Sequence, residues 1–346
     1  MQLEISYSYD DVLLAPQKSK VKSRSDVSLK TNLTNNFSLD LPIISSNMDS
    51  ITGVEMANSL GKLGGISILP RFSTIEEEVE MLQTIKKDIK VGASIGIKED
   101  YLERVEKLIQ NKVDLLVVDV AHGHMEKVSE VTKEIKNKYP SIVLVAGNVA
   151  TYEAAKDLFL AGADVVKVGV GPGSICTTRV ETGHGVPQLT AIMEASKAAK
   201  KFNKTIIADG GIKNVGDIVK ALAAGAHAVM LGNMLAGVDE TPGEIFEVDG
   251  KKYKKYFGST SKEQKEKHSL KVQNDANYLK HIEGVSGAVL YKGSLESIIE
   301  KIKAGVSSGL SYSGAFNILE LQKNAKFVAI TSAGLRESHS HDLFHF

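Results

Sequence analysis

The stretch "AGADVVKVGV", residues 161–170, is answered further along the chain by "AGAHAVMLG", residues 224–232. Each sets an Ala-Gly turn and one polar residue before a β-branched run. Gly162 and Gly225 read as helix C-caps, where glycine takes the left-handed conformation without steric cost. The runs behind them are almost continuously apolar, as strands buried on both faces must be. A helix, a glycine cap and a buried strand form the repeating unit of a parallel α/β sheet.

Working outward, the same unit recurs. "LPIIS" (41–45), "ISIL" (66–69), "VGASI" (91–95), "LLVVDV" (115–120), "IVLVAG" (142–147) and "TIIADGG" (205–211) join "VVKVGV" (165–170) and "AVMLG" (228–232). Their starts lie about 23–27 residues apart, except for one gap of about 40 after the sixth. The spacers "IEEEVEMLQTIKKDI" (75–89) and "YLERVEKLIQNK" (101–112) place apolar residues at i, i+3, i+4 and i+7, as amphipathic helices do. Eight strand–helix units predict a single closed (β/α)8 barrel domain over residues 1–346. The competitor, an open doubly wound sheet, lacks support because no dinucleotide fingerprint follows the first run.

Two segments stand outside the repeat. Residues 1–40 form an N-terminal arm. Residues 241–292 separate the eighth run from a final helix at "LESIIEKIKAG" (295–305). Within them "VDGKKYKKYFG" predicts a hairpin turning at Asp249-Gly250. The polar run 259–281 that follows reads as a flap over the barrel mouth, or as a plain surface loop.

Composition excludes several function classes. Lys plus Arg and Asp plus Glu both number 42, which argues against nucleic acid or a membrane surface as a charge-bound partner. One cysteine in 346 residues allows no disulfide framework. The start "MQLEISYSYDDVLL" has no signal-peptide pattern and no apolar run reaches spanning length, so a cytoplasmic protein is expected. The histidines of "HGH" (122–124) and "HSHDLFH" (339–345) lack the third ligand at a defined spacing that zinc requires.

That one cysteine, Cys176, sits in "VKVGVGPGSICTTRVETGHGVPQL" (166–189), the long connection after the sixth run. In a barrel, chemistry gathers where strands end. Gly169, Gly171 and Gly173 let the backbone approach a ligand closely, and a thiol there suits a nucleophile. The alternative is a small apolar filler. The turns "ADGG" and "LGN" after the seventh and eighth runs suit a phosphate held by backbone N–H groups. Asp209 then either accepts from a ribose hydroxyl or caps a helix.

"GPGSICTTR" (171–179), "SSNMDS" (45–50), "VVDVAHGH" (117–124), "AGNVAT" (146–151) and the "IIADGGI" to "VMLG" stretch resemble the IMP dehydrogenase and GMP reductase family, from about residue 7 to about residue 342. The resemblance implies that Cys176 attacks C2 of a purine nucleotide to give a covalent thioimidate, with hydride exchanged with a nicotinamide cofactor. It makes Thr178 and Glu283 a proton relay. It gives Ser174, Gly211, Gly232 and Asn233 to the phosphate, Asp209 to the ribose, and Ser46, Met48, Tyr256, Gly258 and Lys280 to the rest of the nucleotide. Asn233 stands where the family has serine or glycine. Arg71 and Asp119 would face the nicotinamide. Carbonyls of Gly171, Gly173 and Cys176 would hold potassium, completed by Glu337, Ser338 and His339 of a neighbouring subunit in a homotetramer.

Within the family the sequence points to the reductase branch, which converts GMP to IMP and ammonia with NADPH. No regulatory module pair interrupts the chain after the second unit, and residues 241–292 contain no arginine, the residue that activates hydrolytic water in the dehydrogenases. Lys280 and Glu283 keep the reductase spacing. The tail "ITSAGLRESHSHD" (330–342) and the long flap look more like a bacterial dehydrogenase, the alternative, which oxidises IMP to XMP with NAD.

Overall fold

In the computed structural model, which describes residues 4–98, 100–271 and 282–340, every one of the eight runs is a strand. They are β1 (Ile43–Ser45), β2 (Ile66–Leu69), β3 (Val91–Ile95), β4 (Leu115–Asp119), β5 (Val143–Val149), β6 (Val165–Val168), β7 (Thr205–Asp209) and β8 (Ala228–Leu231). The helices that follow them are α1 (Val54–Lys62), α2 (Ile75–Thr84), α3 (Tyr101–Gln110), α4 (Glu126–Lys138), α5 (Tyr152–Leu160), α6 (Gln188–Phe202), α7 (Val215–Ala223) and α8 (Leu295–Tyr312). Neighbouring strands pair in parallel, and β8 returns to β1 with Val229 opposite Ile43. That last pairing closes the sheet into a (β/α)8 barrel and rules out the open alternative.

The quoted turns explain how a helix hands over to the next strand. Gly162 and Gly225 have φ of 106° and 116°, and the residues after them donate back into the helix, Ala163 N to Leu158 O and Ala226 N to Ala221 O, each at 3.1 Å. Lys112 fills the same left-handed place after α3 with φ 63°. The residue two places after the left-handed one, Asp114, Asp164 or His227, docks on the preceding strand twice. Its N–H donates to the carbonyl of Val91, Leu144 or Ile206. Its side chain accepts the N–H of that same residue, at 2.9, 3.1 and 3.5 Å respectively. That polar residue thus satisfies buried backbone groups near the strand's start.

The barrel interior is packed with side chains, among them Ile44, Ile68, Val117, Ile207 and Met230. A hairpin of the N-terminal arm, Thr31–Thr34 paired with Phe37–Leu39, adds Leu33, Phe37 and Leu39 to that cluster. Thr31 Oγ1 donates to His227 O at 2.7 Å and Thr205 Oγ1 to Leu33 O at 2.6 Å. The arm therefore plugs the N-terminal end of the barrel. A second arm segment, Val12–Leu14, pairs antiparallel with Phe327–Ala329.

The insertion after β8 is a small sheet of β9 (Ile245–Val248), β10 (Lys251–Phe257) and β11 (Ser286–Leu290) in the order β9-β10-β11. Asp249 and Gly250, with φ of 52° and 72°, turn the expected hairpin. Lys254 nails this sheet to the barrel. Its buried ammonium donates to the carbonyls of Val238, Asp239 and Thr241 at 3.1, 3.1 and 2.6 Å. Lys292 donates to Asn233 O at 2.7 Å. Among the described residues no helix is long and apolar enough to cross a membrane.

Candidate active site

At the C-terminal end of the barrel one lysine holds four strands together. Lys167, in the middle of β6, has a side chain only 2% exposed. Its Nζ donates to Asp119 Oδ1 at the end of β4 (3.0 Å), to Asp209 Oδ2 at the end of β7 (2.7 Å) and to Asn148 Oδ1 on β5. Asn148 Nδ2 in turn donates to Asp209 Oδ2 at 2.8 Å and to Gly169 O at 2.9 Å. Burial alone pushes the Lys167 ammonium down. The charges of Asp209 and Asp119 outweigh it and hold its pKa above the ordinary lysine range. Burial likewise raises Asp119, but Lys167 and Arg71 bring it below the usual carboxylate range. Two carboxylates thus share one ammonium, and Arg71 Nε lies 3.6 Å from Asp119 Oδ2.

The cysteine loop begins at Gly169, which approaches β7 so closely that a Cβ would lie 2.0 Å from Asp209 O. Arg179 braces the loop, its Nη2 donating to Val186 O at 2.6 Å and its Nε to Val170 O at 3.3 Å. Cys176 is half-buried, with Sγ 3.2 Å from Thr178 Oγ1. Thr178 Oγ1 donates to Glu283 Oε2 at 2.6 Å. Glu283 arrives from the insertion, and backbone pairing holds it there: Thr177 N donates to Glu283 O and Val285 N to Ile175 O, both at 3.0 Å. The flap is therefore stitched to the nucleophile's own loop.

On the neighbouring wall, Gly232 after β8 leaves room for Tyr256. A Cβ there would lie 3.1 Å from the phenol oxygen and 3.7 Å from Met48 Sδ. Tyr256 OH and Ser174 Oγ are 3.4 Å apart. Gly211, with φ 79°, opens the turn between β7 and α7. All these groups face one cavity of about 430 Å³. Every predicted site residue lines it except four. Lys280 lies outside the described residues, and Glu337, Ser338 and His339 are exposed on the tail.

A family model described as "IMP dehydrogenase / GMP reductase domain" matches residues 6–341. The chain belongs to the IMP dehydrogenase / GMP reductase family. Its relatives include the inosine-5'-monophosphate dehydrogenase of Borreliella burgdorferi, 43% identical with 97% of both chains covered. That of Halalkalibacterium halodurans is 36% identical over 97% of this chain and 96% of its own. The crystal structure of a cysteine-to-alanine variant of GMP reductase from Trypanosoma brucei in complex with guanosine 5'-monophosphate superposes with a TM-score of 0.94 at 31% identity, covering 99% of each chain.

As a member of this family the protein is an oxidoreductase, and two of its residues would suit the nicotinamide that the sequence resemblance implies. Arg71 Nε is buried and hydrogen-bonded to no described residue, and its guanidinium carbon stands 4.3 Å over the Phe72 ring. With Asp119 beside it, the pair offers a donor and an acceptor to a carboxamide, which carries one of each. The sequence named Arg71 and Asp119, which line the cavity, but singled out neither Lys167 nor Asn148. The signal for Lys167 was a charge inside a doubly buried strand, which needs partners of opposite sign.

Proposed function

We propose that the protein is a GMP reductase, using NADPH to convert GMP to IMP and ammonia. The observation that carries this reading is the line from Cys176 through Thr178 to Glu283. Thr178 already directs its proton at Glu283, so the Cys176 thiol can pass its own proton to Thr178. The result is a thiolate and a protonated Glu283. The thiolate attacks C2 of the purine, and the same proton returns through Thr178 to the departing amine. A proton donor positioned in this way raises the rate about 10²–10⁴-fold. NADPH, which Arg71 and Asp119 would hold, would supply a hydride to C2, and expulsion of the Cys176 thiolate would then release IMP. Asp209 and Asn148 orient the ribose, and Arg71 with Asp119 orients the cofactor. Potassium on the carbonyls of the cysteine loop, completed by the neighbour's tail in a tetramer, belongs to the same proposal. Activity that is identical in potassium and in a bulky organic cation would remove it.

The second reading is IMP dehydrogenase, favoured by the 43% identity with the Borreliella enzyme. It needs a base for hydrolysis of the adduct, and residues 241–292 offer no arginine. Absorbance at 340 nm decides between them. GMP with NADPH should show sustained loss of absorbance and release of ammonia. Sustained gain from IMP with NAD, with xanthosine monophosphate accumulating, would assign the dehydrogenase instead.

A further inference from the structure

We propose that the hydroxyl of Tyr9, on the N-terminal arm, donates a hydrogen bond to the 5'-phosphate of the bound nucleotide. Tyr9 is 2% exposed, its hydroxyl oxygen is fully buried, and that oxygen is hydrogen-bonded to no described residue. A buried hydroxyl without a partner costs stability, so the fold tolerates it here for a reason. The side chain lines the same cavity as Cys176.

The arm is strapped down on both sides of it. Tyr7 exchanges two bonds with Thr190 at the start of α6, N to Oγ1 at 2.8 Å and O from the Thr190 N–H at 3.1 Å. Lys220 of α7 donates to Tyr9 O at 2.9 Å, and Lys213 pairs with Asp10. These contacts aim the ring at the turn between β7 and α7. A Cβ on Gly211 would stand 3.4 Å from Tyr9 Cε2. That glycine turn can offer backbone N–H groups to an anion, and α7 beyond it is capped by Asn214 and carries Asp217 in its first turn. Burial first, then the charges of Asp217 and Asp209, push the phenol's pKa well up. The hydroxyl therefore remains a protonated donor wherever the enzyme works. A phosphate oxygen is the acceptor that the glycine turn would bring to it.

This inference rests on a purine 5'-nucleotide occupying the cavity and holds for GMP and IMP alike, so the direction of the reaction does not decide it. The experiment compares wild type with Tyr9→Phe, which removes one oxygen and keeps the ring. Calorimetric titration should show GMP binding weakened about tenfold, as for a lost hydrogen bond to a charged group. Guanosine binding should be unchanged, and kcat at saturating GMP should hold while KM rises. The melting temperature of the free protein should rise, because an unpaired buried hydroxyl is gone. An unchanged GMP affinity would overturn the proposal. Equal weakening of guanosine would move the contact to the ribose and overturn the phosphate assignment. A lowered melting temperature would mean an internal partner for the hydroxyl and overturn it as well. A wild type that binds neither GMP nor IMP would overturn the nucleotide reading itself, and the proposal with it.

Discussion

The two ends of the barrel treat buried charge in opposite ways. At the N-terminal end one carboxylate has two lysines: Asp164 accepts from Lys136 Nζ at 2.5 Å and Lys204 Nζ at 2.9 Å, with the Leu144 N–H as a third donor. At the C-terminal end two carboxylates, Asp119 and Asp209, share Lys167. The first arrangement is amply supplied with partners and ties α4, β5 and the start of β7 to the residue before β6. The second divides one ammonium between two carboxylates, and both carboxylates line the cavity. An end that is satisfied reads as stability, and an end that is not reads as chemistry.

The contrast breaks most visibly at the nucleophile. Cys176→Ala should lose turnover altogether while GMP still binds, measured by calorimetry beside steady-state rates. Retained turnover would end the covalent reading. Glu283→Gln should slow deamination by about 10²–10⁴ with GMP affinity little changed, read from the first turnover after mixing. An equal loss of affinity would make Glu283 a binding group rather than a proton donor.

Lysine substitutions compare the two ends directly. Lys167→Met takes away the only lysine on Asp209 and leaves Asp119 with Arg71 alone, and should cost about 3–5 kcal/mol in denaturant unfolding. Lys204→Met leaves Asp164 its other lysine, and Lys204 is 35% exposed, so the loss should be about 1 kcal/mol or less. Similar losses at the two sites would erase the distinction.

A smaller and sharper test lies in the repeat itself, because His227 occupies the place that Asp164 fills two units earlier. Burial, helped by the charge of Lys200, lowers its pKa from 6.5 to about 4. Below pH 6.5 the unfolded ring takes up a proton that the folded ring refuses. Stability contributed by the neutral ring is therefore full above 6.5 and lost as pH falls toward 4, in all by about 3 kcal/mol. His227→Asn should flatten unfolding free energy between those pH values. A slope that persists would place the titration elsewhere.

Much of this was readable in the sequence because the physics is local. Strands buried on both faces must be apolar throughout, and Asp249-Gly250 is a turn that few other pairs can make. Cys176, Thr178 and Asp209 stood in motifs at strand ends. What stayed hidden is long-range. Nothing near Val12–Leu14 announces that it pairs with Phe327–Ala329. The third flap strand, Ser286–Leu290, is short and mostly exposed, so it carries no clear alternation. Lys167 was visible as an oddity in "VVKV", but its partners come from three other strands, and Tyr9 looked like one more aromatic in the arm.

The pairing of β8 with β1 has a consequence for how the protein is made. Ile43–Ser45 leaves the ribosome early, and its second neighbour is not synthesised until Ala228–Leu231 follows. Throughout that interval the nascent chain carries an apolar strand with one row of backbone groups unpaired, the kind of edge on which growing chains stick to one another. No prefix of this chain shorter than its last barrel strand is edge-free. Premature termination between residues 46 and 228 should yield insoluble product, so translation speed through the later units becomes part of the enzyme's yield.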